Sequence, residues 1–266
     1  MMRLHFDKGI WAIAMLATLG SSGAAWAAKC SFPLTFTGTD YTDCFTDVRR
    51  GADINDNNAP DLGGTGHTAL NFTGGAGPAG DTWLTKWNPL GFTQICGSTQ
   101  VLADVLIHTF NNTKGAGLVA LLDSAPGGKA LALILYDQGN SDALQLATID
   151  PATGKLTKLT SVSLGAAIAE NTWYRLGLSL SIGSDELDVA GQVFRHATPM
   201  DPNSPVVIPP FAVLFFEGSL SALGLEDAGE IGIAASAFST NVNSSVTNWN
   251  VAACIVPPVS CFGACS

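Results

Sequence analysis

Hydrophobic and polar residues alternate most clearly between residues 171 and 196, in the stretch NTWYRLGLSLSIGSDELDVAGQVFRH. Every second residue from Tyr174 to Ile182 is apolar, and a period of two is typical of a half-buried β-strand. The alternation returns after Gly183-Ser184-Asp185, whose residues favour a tight turn, at Leu187, Val189 and Val193. The pattern therefore predicts a β-hairpin.

Short apolar or alternating segments fill the rest of the chain. They are VLADVLIHTF (101–110), GLVALLD (117–123), KALALILYD (129–137), ALQLATI (143–149), KLTKLTSVSL (155–164), GEIGIAASAF (229–238) and SVTNWNVAACIV (245–256). Turn signals separate the central segments, and no segment has helical periodicity over a helix length. This spacing predicts an all-β fold, a two-sheet antiparallel β-sandwich.

The segment KALALILY is apolar on both faces, which predicts a central strand covered on both sides. A candidate for the second cover follows the hairpin. Residues 197–210 contain five prolines and cannot continue a central strand, and they lead into the apolar segment FAVLFFEGSLSALGL (211–225). We expect this segment to fold back over the sheet; the functional alternative is an exposed patch that binds a partner.

The two ends of the chain differ from the middle. Residues 1–27 have a charged start, an apolar stretch from Ile10 to Leu19 and the small-x-small site Ala25-Trp26-Ala27, which together predict a signal peptide. The domain prediction is therefore a signal peptide (1–27), a jelly-roll domain (28–256) and a cysteine-containing tail (257–266). We expect a secreted, extracellular or periplasmic protein, and no later apolar run reaches the ~20 residues of a transmembrane segment.

Charge and cysteine content narrow the class of partners. Without Arg3, Lys8 and Asp7 of the signal peptide, the chain has 10 basic and 21 acidic residues, which argues against nucleic acid or anionic membrane as a partner. Six cysteines in an exported chain favour disulfides, with 15 possible pairings. Zinc is disfavoured because His67, His108 and His196 have no ligand spacing relative to the cysteines. The cysteines are Cys30, Cys44, Cys96, Cys254, Cys261 and Cys265.

The polar stretch GADINDNNAPDLGG (51–64) is a candidate calcium loop. Its oxygen-bearing side chains recur at the spacing of calcium-loop positions 1, 3, 5 and 9, namely at Asp53, Asn55, Asn57 and Asp61. The glutamate that would close such a loop is absent, since Gly64 stands there. The alternative is a connection rich in Asx turns that holds no ion.

The segment TWLTKW (82–87) is a candidate sugar-binding strand. Trp83, Thr85 and Trp87 lie on one side of a strand, with the two indoles about 13 Å apart. The pair could form a stacking platform for sugar rings. Alternatively, both rings are core aromatics.

The order of these segments resembles the concanavalin A-like jelly roll, and within it laminin-G-like and related bacterial domains. The resemblance covers roughly residues 70–255 and is carried by NTWYRLGL, a turn, LDVAGQV, an insertion, GEIGIAAS and VTNWNV. It implies two antiparallel sheets packed face to face. It also implies a carbohydrate-binding, adhesive or glycan-cleaving role, and calcium binding in many members.

The same superfamily includes laminarinase-type β-glucanases, which carry Glu-x-Asp-x-Glu on one strand. Here Glu186 and Asp188 fill the first two positions, but Ala190 occupies the third. A retaining glycosidase needs two carboxyl groups about 5–5.5 Å apart, so one role has no residue in this motif. Glu217, Glu226 or Glu230 could supply it, although nothing in the sequence places them there. The alternative is that Glu186 and Asp188 are solvated residues after a turn.

We therefore expect a secreted, non-catalytic protein that binds an extracellular glycan, with calcium as a candidate cofactor and Trp83 and Trp87 as candidate ligand-binding residues. A structural or self-assembling surface protein is the alternative, motivated by the low charge and the FAVLFF segment. A glycoside hydrolase is a further alternative, because the catalytic motif is incomplete rather than absent.

Overall fold

The computed structural model describes residues 30, 33, 44–49, 55–59, 69–74, 81–87, 94–107, 114–137, 142–165, 168–237 and 242–256. The predicted signal peptide (1–27), the tail (257–266), His67 and His108 lie outside these residues. Among the described residues, no helix is long and apolar enough to cross a membrane.

Most of the described residues lie in β-strands, and Leu220–Leu223 form a short helix. The elements are β1 (Phe45–Arg49), β2 (Asn55–Ala59), β3 (Ala69–Gly74), β4 (Asp81–Trp87), β5 (Gln94–Ile107), β6 (Lys114–Leu122), β7 (Ala130–Asp137), β8 (Asp142–Ile149), β9 (Leu156–Gly165), β10 (Trp173–Ile182), β11 (Glu186–Arg195), β12 (Ala212–Ser219), α1 (Leu220–Leu223), β13 (Ala228–Ala237) and β14 (Val242–Val256).

These strands form two antiparallel sheets. The first sheet has the order β2-β3-β14-β5-β10-β11-β12. The second sheet has the order β1-β4-β13-β6-β7-β8-β9. A short pairing of β13 with β5 joins them at Ala228 and Gly229. The predicted all-β, two-sheet antiparallel sandwich is confirmed.

The predicted hairpin is β10 and β11, paired from Tyr174 opposite Arg195 to Ile182 opposite Leu187. Its alternation determines which residues enter the main core, because the apolar positions of both strands are buried there together with residues of β6, β7 and β13 from the second sheet. Gly191 brings the two sheets close, since a Cβ there would lie 2.5 Å from the Leu133 side chain. The glycine in the segment Val189-Ala190-Gly191 is therefore required by the tight packing of β11 against β7.

The prediction that β7 is central and covered on both sides is confirmed, because its residues from Ala130 to Tyr136 are buried on both faces. The predicted cover was wrong. Most of FAVLFFEGSLSALGL forms β12, which pairs with β11 as the edge strand of the first sheet, followed by α1. The outer face of β7 belongs instead to a second apolar cluster, formed with β4, β6, β8 and β13 and flanked by Val48 and Leu156.

The polar stretch 51–64 contains a strand. The stretch predicted as a loop, 51–64, includes β2, which pairs with β3 from Asn55 opposite Thr73 to Ala59 opposite Ala69.

The structure also pairs two of the six cysteines. Cys30 and Cys44 form a disulfide, with Cα atoms 5.8 Å apart. The register of β5 and β14 places Cys96 opposite Cys254.

Candidate functional site

A buried carboxylate, that of Asp104, lies on the outer face of the first sheet. Asp104 occupies the middle of β5, directly opposite Arg175 of β10 on one side and Thr247 of β14 on the other. Its neighbours in β5, Ala103 and Val105, point into the core, so strand alternation turns Asp104 to the opposite face. Asp104 is nevertheless fully buried. A buried carboxylate is costly unless it is well paired.

Four hydrogen bonds pair Asp104. Oδ1 accepts from Nε of Arg175 at 2.9 Å and lies 2.7 Å from Nε2 of His196. Oδ2 accepts from Nη2 of Arg175 at 2.8 Å and from Nδ2 of Asn248 at 2.8 Å. A carboxylate has about four acceptor positions, so all of them are filled. Asp104 therefore holds its neighbours in place and has no lone pair left for a ligand.

His196 is buried and has an acceptor at each ring nitrogen. Nε2 faces the Asp104 carboxylate, and Nδ1 lies 2.8 Å from the backbone carbonyl of Ser204. Both ring nitrogens are therefore engaged by oxygen atoms of the protein. The Ser204 hydroxyl bonds the carbonyls of Thr198 and Asp201. His196 thus contacts the backbone carbonyl of Ser204 and not its hydroxyl. Asp104, His196 and Ser204 are therefore not arranged as a catalytic triad, in which the histidine would activate the serine hydroxyl.

The proline-rich loop, residues 197–210, closes over this network. Backbone hydrogen bonds join Ala197 to Pro205 and Val207 to Arg195, and the N–H of Trp173 donates to the carbonyl of Pro199. Prolines cannot take part fully in a sheet ladder, so the loop remains outside the strands and lies on the sheet face. It brings the Ser204 carbonyl to His196.

A bulge in β14 supplies the last member of the network. The register with β5 shifts between Thr247 and Asn250, and Asn248 has a left-handed φ of 49°. Asparagine tolerates this conformation better than most residues. The extra residue lets both Val246 and Trp249 enter the core, while Asn248 bonds Asp104 on the other face. Bulges next to functional sites commonly redirect a side chain in this way.

A cavity of about 540 Å³ lies beside the network, between the sheet and the proline-rich loop. Its size is that of a small-molecule site. The sheet contributes Leu102, Arg175, Asn248 and Asn250, and the wall opposite consists mainly of loop residues, with Pro33. The loop residues are Asn203, Ser204, Pro205, Val206 and Ile208.

Several polar groups that line the cavity keep unused hydrogen-bonding capacity among the described residues. Arg175 uses Nε and Nη2 toward Asp104, which leaves Nη1 without a partner there. Asn248 uses its Nδ2 but not its Oδ1. The side-chain amide of Asn250 makes no such bond. The cavity thus presents both donors and acceptors to a ligand.

The predicted tryptophan platform does not hold for Trp87. Its side chain is 1% exposed and packs against Trp249, with ring centroids 5.6 Å apart. The indole therefore belongs to the core, as in the alternative interpretation. Thr85, on the same side of β4, is also buried. The side chain of Trp83 lies outside what the structure describes.

The predicted calcium ligands are only partly covered by the structure. Asn55 and Asn57 lie in β2, two residues apart, in a strand rather than in a loop that wraps an ion. Their side chains, and the whole of Asp53 and Asp61, lie outside the described residues. Within the described part of the chain, no group of three or more His, Cys, Asp and Glu residues could hold a metal ion. Calcium binding at 53–61 stays a prediction.

The incomplete catalytic motif lies on β11, next to the edge strand β12 of the first sheet. Asp188 of β11 lies directly opposite Glu217 of β12, and Ala190 lies opposite Phe215. Partial burial raises the pKa of Asp188, and the nearby Glu217 and Glu186 raise it further. Glu230, by contrast, is on the second sheet and pairs with Lys86 at 2.7 Å. Of the candidate replacements, Glu217 is the one brought to Asp188.

Replacing Asp188 with asparagine is expected to stabilise the protein at pH 7 by roughly 0.2–1 kcal/mol, the size of a cross-strand pair. A carboxyl whose pKa is raised on folding contributes most stability when protonated and loses it as pH rises through the folded pKa. The gain should therefore disappear at pH 3. Urea unfolding at both pH values measures this, with exposed Glu226→Gln as the control. An equal gain at both pH values would contradict the electrostatic cause.

Comparisons with known proteins identify the class of fold. An engineered GH43 glycoside hydrolase with endo-xylanase and exo-arabinofuranosidase activity superposes with a TM-score of 0.50 at 11% identity, over 88% of this chain and 42% of that chain. At this identity the likeness shows the fold alone. Together with the strand order it defines a concanavalin A-like jelly roll, as predicted; the laminin-G-like assignment stays a prediction.

Other solved structures match this chain with TM-scores below 0.5. A Bacillus subtilis protein with a galectin-like fold has a TM-score of 0.49 at 13% identity, covering 85% of this chain and 94% of that one. The carbohydrate-binding module CBM66 from Bacillus subtilis has a TM-score of 0.45 at 9% identity, and the match covers 78% of this chain and 94% of that one. No family model and no curated protein matches this sequence.

Proposed function

We propose that this chain is an exported carbohydrate-binding protein that holds a glycan in the cavity beneath the proline-rich loop. The observation that carries the proposal is the convergence of Arg175, Asn248 and Asn250 on one cavity. Sugar hydroxyls both donate and accept, so amide and guanidinium groups with unused capacity match them. The Asp104 network fixes Arg175 and Asn248 before a ligand arrives, which reduces the entropic cost of binding.

Binding without catalysis is the form of the proposal that the cavity supports. Asp104 has its acceptor positions filled, and His196 is buried with both nitrogens occupied. A general acid or base must be within reach of the proton that it transfers. Neither residue can exchange a proton with a ligand while these bonds persist.

The test is isothermal titration of the purified protein with a panel of defined oligosaccharides, with calcium and with EDTA. Asn250→Ala should weaken binding by about 2- to 10-fold, the effect of one hydrogen bond to a neutral group. Ser161→Ala, at an exposed position of β9 in the other sheet, is the control and should bind as wild type. The comparison of titrations with calcium and with EDTA separately tests the prediction that residues 53–61 bind calcium.

If no oligosaccharide in the panel produces heat, glycan binding is wrong. If glycans bind but Asn250→Ala has no effect, the protein binds sugar at a different place. Trp83 would then be the next position to substitute, since the sequence predicts it in a sugar-binding strand.

A glycoside hydrolase is the second candidate, favoured by the Asp188 and Glu217 pair. Residues directly opposite in an antiparallel pair have Cβ atoms about 4.5–5.5 Å apart, which is compatible with a retaining carboxylate pair. The raised pKa of Asp188 suits an acid. Release of reducing sugar that is lost in both Asp188→Asn and Glu217→Gln would support hydrolysis, and no release from any tested glycan would exclude it.

Self-association, the other expectation from the sequence, has a specific surface to test. Phe215 on the edge strand β12 is 62% exposed, and Ile208 in the proline-rich loop is 57% exposed. Light scattering at high protein concentration measures it directly. A monomer at all concentrations would exclude this role.

A further inference from the structure

We propose that the cavity selects acidic sugars, and that Arg175 binds the carboxylate of a uronic acid residue. This inference rests on the proposed glycan binding and specifies the class of glycan. It follows from the position of the Arg175 guanidinium at the cavity wall, from the edge of that guanidinium that has no partner among the described residues, and from the absence of an acidic group among the described lining residues.

The network presents its cation, and not its carboxylate, to the cavity. Arg175 is 31% exposed and lines the cavity, whereas Asp104, which pairs with it, is fully buried and is not among the lining residues. The charge nearest to a ligand is therefore that of the guanidinium. The whole chain has a net charge of −10, so a cationic site is a local exception. A partly buried positive charge attracts an anion more strongly than a fully exposed one, because solvent screens it less.

The guanidinium of Arg175 has two edges, and Asp104 occupies one of them. Nε and Nη2 donate to the two carboxylate oxygens of Asp104, at 2.9 and 2.8 Å. The other edge, formed by Nη1 and the second hydrogen of Nη2, has no partner among the described residues. The side chain is 31% exposed and lines the cavity. A guanidinium edge matches two oxygens of a planar carboxylate, so the free edge can bind a second carboxylate.

The other described residues of the cavity lining are uncharged. They are asparagine, serine, proline and aliphatic residues. Asp201 in the proline-rich loop is not among the lining residues, and its Oδ1 accepts from the N–H of Asn203. The side-chain amide of Asn250 can donate to a bound carboxylate or accept from a sugar hydroxyl. Nothing in the described lining therefore repels an anion.

The experiment compares acidic and neutral oligosaccharides on the purified protein by isothermal titration. The probes are tetrameric galacturonate, mannuronate and glucuronate, each with the neutral oligomer of the corresponding sugar, and a sulfated galactose tetramer. At least one uronate should bind about 10- to 100-fold more tightly than its neutral counterpart, the effect of hydrogen bonds to charged groups. That preference should decrease between 50 and 500 mM NaCl, a measurement that needs no variant.

Arg175→Met removes the charge but keeps a chain of similar length, and it should abolish the preference for the uronate. Arg195→Met is the matched control, since Arg195 lies on the neighbouring strand with its guanidinium 3.8 Å above the ring of Phe211, and this variant should keep the preference. If circular dichroism shows that Arg175→Met folds poorly, Arg175→Lys is tested instead. It retains a positive charge but lacks the planar guanidinium that can bind two carboxylate oxygens. It should lower the preference about 3- to 10-fold.

Equal binding of uronates and neutral oligomers would overturn the inference and leave glycan binding intact. So would a preference that survives Arg175→Met. If the sulfated tetramer alone binds in an Arg175-dependent way, the ligand is a sulfate ester and the carboxylate assignment is wrong. If none of the sugars binds, both the inference and the proposed function fail.

Discussion

Replacing Asp104 with alanine is expected to lower the free energy of unfolding by about 3–5 kcal/mol. The reason is the charge that remains: Arg175 and His196 would lose the anion between them, and His196 is fully buried. Asn248 would also lose its 2.8 Å hydrogen bond to that carboxylate. Native proteins are stable by about 5–15 kcal/mol, so this loss is a large share of the total. Urea unfolding of wild type and variant measures it.

The control for Asp104→Ala is Asp227→Ala, at an exposed position before β13. A surface substitution of this kind usually changes stability by no more than about 0.5 kcal/mol. Asp104→Asn is a second variant of nearly the same size. It should also be strongly destabilised, because its amide nitrogen would face donors. If Asp104→Ala unfolds at the same urea concentration as wild type, the network does not stabilise the fold.

The sandwich could be predicted because its signal is local. The alternation from Tyr174 to Ile182 assigns each side chain to a face without knowledge of the partner strand, and the structure follows that assignment. The same rule correctly placed Trp87 and Thr85 on one face of β4. It could not tell whether that face meets solvent or the core, since this depends on which sheet packs against it. The platform prediction failed for Trp87 at that step.

The binding cavity could not be predicted because its residues are distant in sequence. Asp104 and His196 are 92 positions apart, and Asp104 and Asn248 are 144 apart. Their contact requires the strand order β14-β5-β10-β11 and the return of the proline-rich loop. One local signal was nevertheless present. Asp104 is the single charged residue in the apolar segment VLADVLI, and a lone carboxylate in a buried strand needs partners.

The bulge in β14 was equally hidden, although it determines both the core and the cavity. Simple alternation puts Val246, Asn248 and Asn250 on one face. In the structure the extra residue places Val246 in the core and both asparagines at the cavity. Bulges are created by the mismatch between two strands, so one strand's sequence does not reveal them.

The second large effect is expected for Trp249→Ala, which should lower the free energy of unfolding by about 3–5 kcal/mol. Trp249 is fully buried and contacts Phe45 edge-on at 5.0 Å and Trp87 at 5.6 Å between ring centroids. Removing the indole leaves a cavity and breaks both aromatic pairs. Because the bulge holds Trp249 inward and Asn248 outward, the same variant should also weaken ligand binding in the cavity.

Thermal and urea unfolding of Trp249→Ala, Trp249→Phe and Phe215→Ala test this explanation together. Trp249→Phe keeps an aromatic ring beside Phe45 and should lose less stability than the alanine variant. Phe215→Ala removes an aromatic ring that is 62% exposed, so it should change stability by no more than about 0.5 kcal/mol. If Trp249→Ala and Phe215→Ala lose the same free energy of unfolding, burial of the ring in the core does not determine the loss of stability. The bulge, which places Trp249 in the core and Asn248 at the cavity, would then not explain a link between core packing and ligand binding.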